Sequence, residues 1–322
     1  MWKYMNQEMC NQFLLSLHLI DGDLSDQEKI KLLYTISNTI ENQYEIIKIK
    51  KNSGKLRTIY CPHPLLKSIQ RKILHQILNH KSISSYAKAY HPHIGLKENA
   101  LPHVHQKRIL KLDIQDFFNH IQFINVYESC FSLAYFPKPI GMLLTQLCTY
   151  HDDLPQGAPT SAYISNLVMK DFDEEIGDWC SQRNISYTRY SDDMTFSGDL
   201  IPADVIRKVK QYLNPLGLKL NYQKIHVINH SQQQNVTGIV VNEKIQVPRL
   251  YRRKIRQTMH YIEAYGLQSH LEKIGYQKSP ERYLNHIYGQ VLYILQINAQ
   301  DKEFQIYKDK LKEYENSYTF SV

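Results

Sequence analysis

Two aspartates stand side by side, Asp192 and Asp193, between the apolar, β-prone runs Tyr187-Thr188-Arg189-Tyr190 and Met194-Thr195-Phe196-Ser197. Such runs on either side of a short polar break predict a β-hairpin with both carboxylates at its tip. Adjacent like charges repel, so the pair is costly unless cations neutralise it. Two divalent metals bridged by carboxylates are the usual solution, and they suit in-line displacement at phosphorus. Taken alone, the dipeptide is explained more simply as an exposed acidic turn.

A third carboxylate narrows the reading. Arg108 to Leu112 is a strand-like run that ends in Asp113. Between it and the hairpin lies Leu154-Pro155-Gln156-Gly157-Ala158-Pro159-Thr160-Ser161, a Pro/Gly loop followed by a helical pattern with Ile164, Leu167, Val168 and Phe172 at core spacing. The order of acid-ended strand, loop and helix, then Tyr-Ser-Asp-Asp hairpin resembles the palm domain of reverse transcriptases. Ser191 fills a position that varies among those enzymes. Asn99-Ala100-Leu101-Pro102-His103 matches the Asn-Ala-x-x-His signature of bacterial retron reverse transcriptases, and Val236-Thr237-Gly238 matches their Val-Thr-Gly signature. The resemblance runs from about Tyr34 to the C-terminus.

That resemblance implies an α/β (α+β) fold shaped as a right hand, with an antiparallel catalytic sheet in the palm. It divides the chain into an N-terminal helical extension (1–43), fingers (44–112), palm (113–240) and helical thumb (241–322). It implies an RNA-directed DNA polymerase that copies a cognate structured non-coding RNA of the msr-msd type into branched, RNA-linked DNA, in anti-phage defence with a separate effector protein. Two Mg²⁺ ions would be held by Asp113, Asp192, Asp193 and the backbone carbonyl of Ile114. Phe118 would be the steric gate that selects dNTPs, and Gln156 would bond near the incoming sugar or base. Lys224 falls where a lysine protonates or neutralises the leaving pyrophosphate. Asn99, His103, Val236, Thr237 and Gly238 belong to the elements tied to RNA recognition. A group II intron-like reverse transcriptase and a nucleic-acid scaffold with an idle site are the alternatives.

The rest of the chain fits a polyanionic partner. Its net charge is +8 and its tyrosines number 24, a type suited to stacking on bases. No apolar run approaches the roughly 18–20 residues that span a bilayer, and the N-terminus lacks a signal-peptide pattern. Five scattered cysteines read as reduced thiols, so a cytoplasmic location is expected. Residues 1–43 read as helical, with a Ser25–Glu28 capping box. A hairpin over 44–60 would carry Lys55 and Arg57 toward a triphosphate, the planar guanidinium gripping phosphate oxygens. Pro62 and Pro64 end that hairpin, and Leu65 to Leu78 reads as an amphipathic helix with Lys67, Arg71, Lys72 and His75 on its polar face. Asp116 is placed to cap the helix that follows it rather than to bind metal. Residues 235–241 read as a single strand. Pro248 should then open a basic helix with Arg249, Arg253 and Arg256 on one stripe, suited to phosphate contacts. Two further helices are expected over 281–298 and 302–315.

Overall fold

The computed structural model describes residue 2, residues 5–50, residue 54 and residues 56–319. Lys55, and most of the turn of its hairpin, lie outside the described residues.

The chain begins with two helices, α1 (Gln7–Ser16) and α2 (Asp26–Asn38). The Asn6 side chain caps α1, and the Ser25–Glu28 capping box forms at α2. The expected helical run is broken where His18 (φ 46°) and Gly22 (φ 98°) take left-handed backbone. Next come the antiparallel strands β1 (Tyr44–Lys50) and β2 (Leu56–Pro62), in register from Tyr44 with Pro62 to Lys50 with Leu56. Helix α3 (Pro64–Gln76) starts on Pro64, whose missing N–H costs nothing at that position.

Then follow α4 (Leu96–Ala100), β3 (Arg108–Asp113), α5 (Phe123–Val126), α6 (Lys138–Cys148), α7 (Ser161–Val168) and α8 (Lys170–Ser181). The hairpin β4 (Ser186–Tyr190) and β5 (Asp193–Gly198) precedes α9 (Pro202–Leu213) and the short strands β6 (His226–Asn229), β7 (Asn235–Val236) and β8 (Ile239–Val240). Helices α10 (Arg249–Tyr265), α11 (Leu267–Lys273), α12 (Pro280–Ile297) and α13 (Lys302–Thr319) complete the described chain. The result is a mixed α/β fold with small sheets. Among the described residues no helix is long and apolar enough to cross a membrane.

Two compact units emerge: Met1–His93 with Leu110–Val227, and Ile94–Ile109 with Ile228–Val322. The first contains most of a four-stranded sheet in the order β4-β5-β3-β6. From Met194 to Gly198, β5 is buried on both faces, which is why its pattern is a continuous apolar run rather than an alternation. The second unit packs Val236 and Ile239 with Ile255, Met259 and Ile262 of α10, and with Leu284, Ile287 and Val291 of α12.

Two sequence expectations change here. Residues 235–241 are a tight hairpin, not one strand: β7 and β8 pair across Thr237 (φ 46°) and Gly238 (φ 86°). Two consecutive positive φ values are the mark of a type I′ turn, whose twist matches that of the flanking strands. Pro248 does not open α10; it is the extended residue before it, and Arg249 is the first helical residue.

The second unit offers a matched pair of glycine tests. Gly238 has nothing within 4 Å of an added Cβ but has positive φ, whereas Gly289 is exposed within α12 with open space around it. Gly238→Ala should lower stability by about 1–2 kcal/mol from backbone strain alone. Gly289→Ala should raise it by about 0.5–1 kcal/mol. Urea denaturation of the full chain reads both, and opposite shifts in midpoint are the expected outcome.

Candidate active site

The Tyr-Ser-Asp-Asp stretch forms a two-residue hairpin turn. Tyr190 pairs with Asp193, so Ser191 and Asp192 make the turn and Asp193 opens β5. The two acids therefore differ in setting: Asp192 is on the tip and Asp193 is in the ladder. Ser191 has φ 61°, an unfavourable value for a residue with a Cβ. Strand β3 brings Asp113 alongside, because the Ile114 N–H donates to the Asp192 carbonyl at 3.0 Å. On the far side, the Asn221 N–H donates to the Asp113 carbonyl at 2.8 Å and the Gln115 N–H to the Lys219 carbonyl at 2.9 Å. These bonds bring the segment carrying Lys224 to the acids, and its ammonium reaches Asp113 Oδ2 at 2.6 Å.

A buried guanidinium underlies the turn. Arg189, on β4, is fully buried and donates to both Asp173 carboxylate oxygens, at 2.8 and 2.5 Å. The same guanidinium also reaches the Ser191 carbonyl at 2.9 Å and Asn166 Oδ1 at 3.2 Å. The Tyr187 hydroxyl adds a 2.7 Å bond to Asp173. Sequence reasoning missed Arg189, Asp173 and Asn166. An arginine inside an otherwise apolar strand, two residues before the turn, was the available signal.

The electrostatics of the acids follow from burial and proximity. Asp193 opens onto a cavity yet sits deep among protein atoms. Burial, then the charges of Asp192 and Asp113, push its carboxyl up from near 3.8 to about 6. Burial, and further the charge of Asp113, also raises Asp192. Burial alone would lower the Lys224 ammonium, but its bond to Asp113 and the three carboxylates outweigh that and hold it above its ordinary value. Burial lowers Lys111, and Asp193 opposes the shift.

Three clustered carboxylates suit a hard divalent cation that takes oxygen ligands. Among the described residues no three His, Cys, Asp or Glu side chains form a ready metal cage. An incomplete cage is compatible with Mg²⁺, which keeps waters and shares its ligands with substrate phosphates.

The acids line a cavity of about 1170 Å³ whose walls include Arg57, Ile114, Asp116, Phe118, Gln156, Tyr190 and Lys224. Arg57 is exposed on β2. Phe118 is half-buried, its ring edge-on to Phe117 at 5.4 Å between centroids. Asp116 does not cap: it takes left-handed backbone (φ 43°) before a 3-10 turn and makes no side-chain cap bond. The Gln156 carbonyl accepts the Tyr60 N–H at 2.8 Å, fastening the Pro/Gly loop to β2. Gly157 is required there, since a Cβ would lie 2.7 Å from the Tyr60 carbonyl oxygen.

The other candidates lie in the second unit. Asn99 donates to Thr237 Oγ1 at 3.2 Å, so the Asn-Ala-x-x-His and Val-Thr-Gly elements pack together. Asn99, His103 and Val236 are buried, whereas Thr237 is half-buried and Gly238 exposed. Burial drives the His103 imidazolium down to about 3, so that ring is neutral. Arg249 and Arg253 are exposed along α10. Arg256 is not available in the same way: it forks onto Glu303 of α13 at 2.5 and 2.6 Å. The stripe on α10 could not reveal a carboxylate supplied by another helix.

Breaking the buried pair from one side should cost about 3–5 kcal/mol; Asp173→Ala would show it as a fall in the urea midpoint. The double change Arg189→Met with Asp173→Leu should recover most of that stability, yet leave the Ser191 carbonyl unheld and activity depressed. A pH series tests the acids. Because the folded-state pKa of Asp193 is raised, its ionisation destabilises the fold as pH climbs through about 6. In EDTA, Asp193→Asn should therefore be more stable than the wild type at pH 7.5, and the gap should close toward pH 4.

Comparison with known proteins agrees with this geometry. Residues 49–241 match the family model described as reverse transcriptase (RNA-dependent DNA polymerase). The chain is 30% identical to Retron Ec86 reverse transcriptase of Escherichia coli over 290 residues, 88% of this chain and 85% of that one. It is 34% identical to Retron Ec83 reverse transcriptase of Escherichia coli over 66% of this chain and 73% of that one. With Retron Mx65 reverse transcriptase of Myxococcus xanthus it shares 28% identity, over 81% of this chain and 62% of that one. The chain belongs to the reverse transcriptase family, among the retron reverse transcriptases.

Proposed function

We propose that this chain is the RNA-directed DNA polymerase of a retron, copying a structured non-coding RNA into DNA that stays joined to it. The observation that carries this reading is one cavity bounded by three carboxylates, a lysine, an exposed arginine and a half-buried phenylalanine. In the reaction a primer hydroxyl attacks the α-phosphate of a dNTP and pyrophosphate leaves. Asp113, Asp192 and Asp193, with the Ile114 carbonyl, would hold two Mg²⁺ ions. Bound there, the ions supply Lewis-acid stabilisation of the attacking and leaving oxygens.

The protein's own groups do the rest. Arg57 grips triphosphate oxygens from β2, with Lys55 beside it in sequence. Phe118 stands where a 2′-OH would have to fit. Gln156 faces the incoming nucleotide from a loop fastened to β2. Lys224 neutralises or protonates the departing pyrophosphate once it exchanges Asp113 for phosphate. Residues 44–112 and 113–240 then act as fingers and palm, and 241–322 as a thumb whose Arg249 and Arg253 follow a nucleic-acid backbone. Such contacts give affinity without sequence choice. The non-coding RNA, its DNA product and a separate effector protein in anti-phage defence are the partners this reading names.

The deciding experiment is to purify the chain from its native host, sequence the nucleic acid that accompanies it, and repeat this with Asp192→Asn. Wild type carrying a short DNA joined to a structured RNA, with the variant carrying RNA alone, is the expected result. The same RNA and no DNA in both would favour an idle scaffold. In single-nucleotide incorporation, Asp192→Asn should lose roughly 10³-fold or more, the equivalent of about 4 kcal/mol of transition-state stabilisation. Phe118→Val should raise ribonucleotide use relative to deoxynucleotide by about tenfold or more.

A further inference from the structure

The catalytic turn is held from three sides. Arg189 holds the Ser191 carbonyl from beneath, and Ile114 holds the Asp192 carbonyl from β3. The third hold comes from a residue 101 positions earlier in the chain: the Tyr90 hydroxyl donates to Ser191 Oγ at 3.1 Å. The bond joins Tyr90 to the first residue of the turn whose second residue, Asp192, carries the acid at the hairpin tip.

The backbone leading to Tyr90 is built to deliver that hydroxyl. Residues 86–88 run beside β4, with Arg189 N–H donating to the Tyr86 carbonyl at 2.9 Å and Lys88 N–H to the Arg189 carbonyl at 2.7 Å. Ala87 and Ala89 are buried, small enough for this close approach, and Asn166 Nδ2 fixes the Ala89 carbonyl at 2.8 Å. Immediately after this pinned segment, Tyr90 takes φ 58°, an outlying value for an aromatic residue. That turn places Tyr90 on the wall of the cavity that holds the three acids. Two strained residues therefore meet through their side chains at the turn, where strain is kept only if the surroundings over-determine it.

We propose that Tyr90 is a positioning residue for nucleotidyl transfer: by bonding the Ser191 hydroxyl it holds the turn that presents Asp192 to a divalent ion. The inference rests on reading Asp192 as a metal ligand. A ligating carboxylate is aimed by the groups that hold it in place, and losing such a group typically costs 10- to 100-fold in metal affinity or rate. Ser191→Ala would break the bond to Tyr90 while leaving both acids in place.

The test uses the full chain as Tyr90→Phe, Ser191→Ala, the double variant and Asp192→Asn, each checked for an unchanged thermal midpoint. Mn²⁺ binding, followed by electron paramagnetic resonance of the free ion, gives a readout independent of turnover. Single-nucleotide incorporation on an RNA template is measured in parallel across Mg²⁺ concentration. Tyr90→Phe is expected to weaken Mn²⁺ binding by about tenfold and to lower the incorporation rate at low Mg²⁺, with recovery at high Mg²⁺ and an unchanged KM for dNTP. Ser191→Ala should match it, and the double variant should be no worse than either single. Mn²⁺ affinity within twofold of wild type in Tyr90→Phe overturns the proposal, as do additive losses in the double variant. If Asp192→Asn binds Mn²⁺ as well as wild type does, the metal-ligand reading itself falls and takes this inference with it.

Discussion

A fully buried guanidinium is the constraint around which the first unit is arranged. Arg189 would be intolerable inside a strand unless its charge were paired and its donors met acceptors. Asp173 supplies two oxygens, Asn166 one and the Ser191 carbonyl another. Those acceptors come from α7, α8 and the hairpin turn, so satisfying one side chain fixes three elements together. A hydrophobic pair of the same volume would restore most of the stability that the ion pair gives. It could not hold a carbonyl in a turn with positive φ. Lysine would not serve either, because a single ammonium lacks the planar fork that reaches a carboxylate and two further acceptors.

The distribution of compensated and uncompensated charge separates structure from chemistry. In the second unit, Arg252 meets Asp301 at 2.6 Å and Arg256 meets Glu303, so these charges are consumed in joining α10 to the segment that begins α13. Around the cavity the balance is different. Three acids gather there, burial disfavours the ionised forms of Asp192 and Asp193, and Lys224 lies in direct contact with Asp113. Such a cluster holds folding stability below what neutral side chains would give, and its natural relief is positive charge arriving from outside. The proposed metal site rests on that concentration of negative charge, set in a protein whose overall charge is +8.

What the sequence revealed depended on whether the relevant neighbour was local. The hairpin and its acids were legible because two β-prone runs flank two adjacent carboxylates. The Ser25–Glu28 capping box and α12 were legible for the same reason, since each is decided within a few residues or by helical spacing. Arg189 was not legible as a support, because Asp173 sits on another element. Arg256 looked like part of a basic face because its partner, Glu303, is 47 residues away. The Val-Thr-Gly stretch reads as a strand because its valines and isoleucines outweigh one glycine. The turn depends on two positive φ values that only tertiary packing makes tolerable at Thr237.

That packing changes what the two signature elements can do. Asn99 and Thr237 are bonded across 138 residues of sequence, and Ala100 lies in the same core as Val236 and Ile239. With Asn99, His103 and Val236 buried and His103 neutral, these side chains present neither surface nor charge to a phosphate backbone. Their mutual contact instead holds the Thr237–Gly238 turn in place, with Gly238 exposed at its tip. A glycine tip presents backbone N–H and carbonyl groups without a side chain in the way. The buried members of the two motifs form the frame of the turn, and under the proposed function the exposed tip is the part of it that would meet a structured RNA.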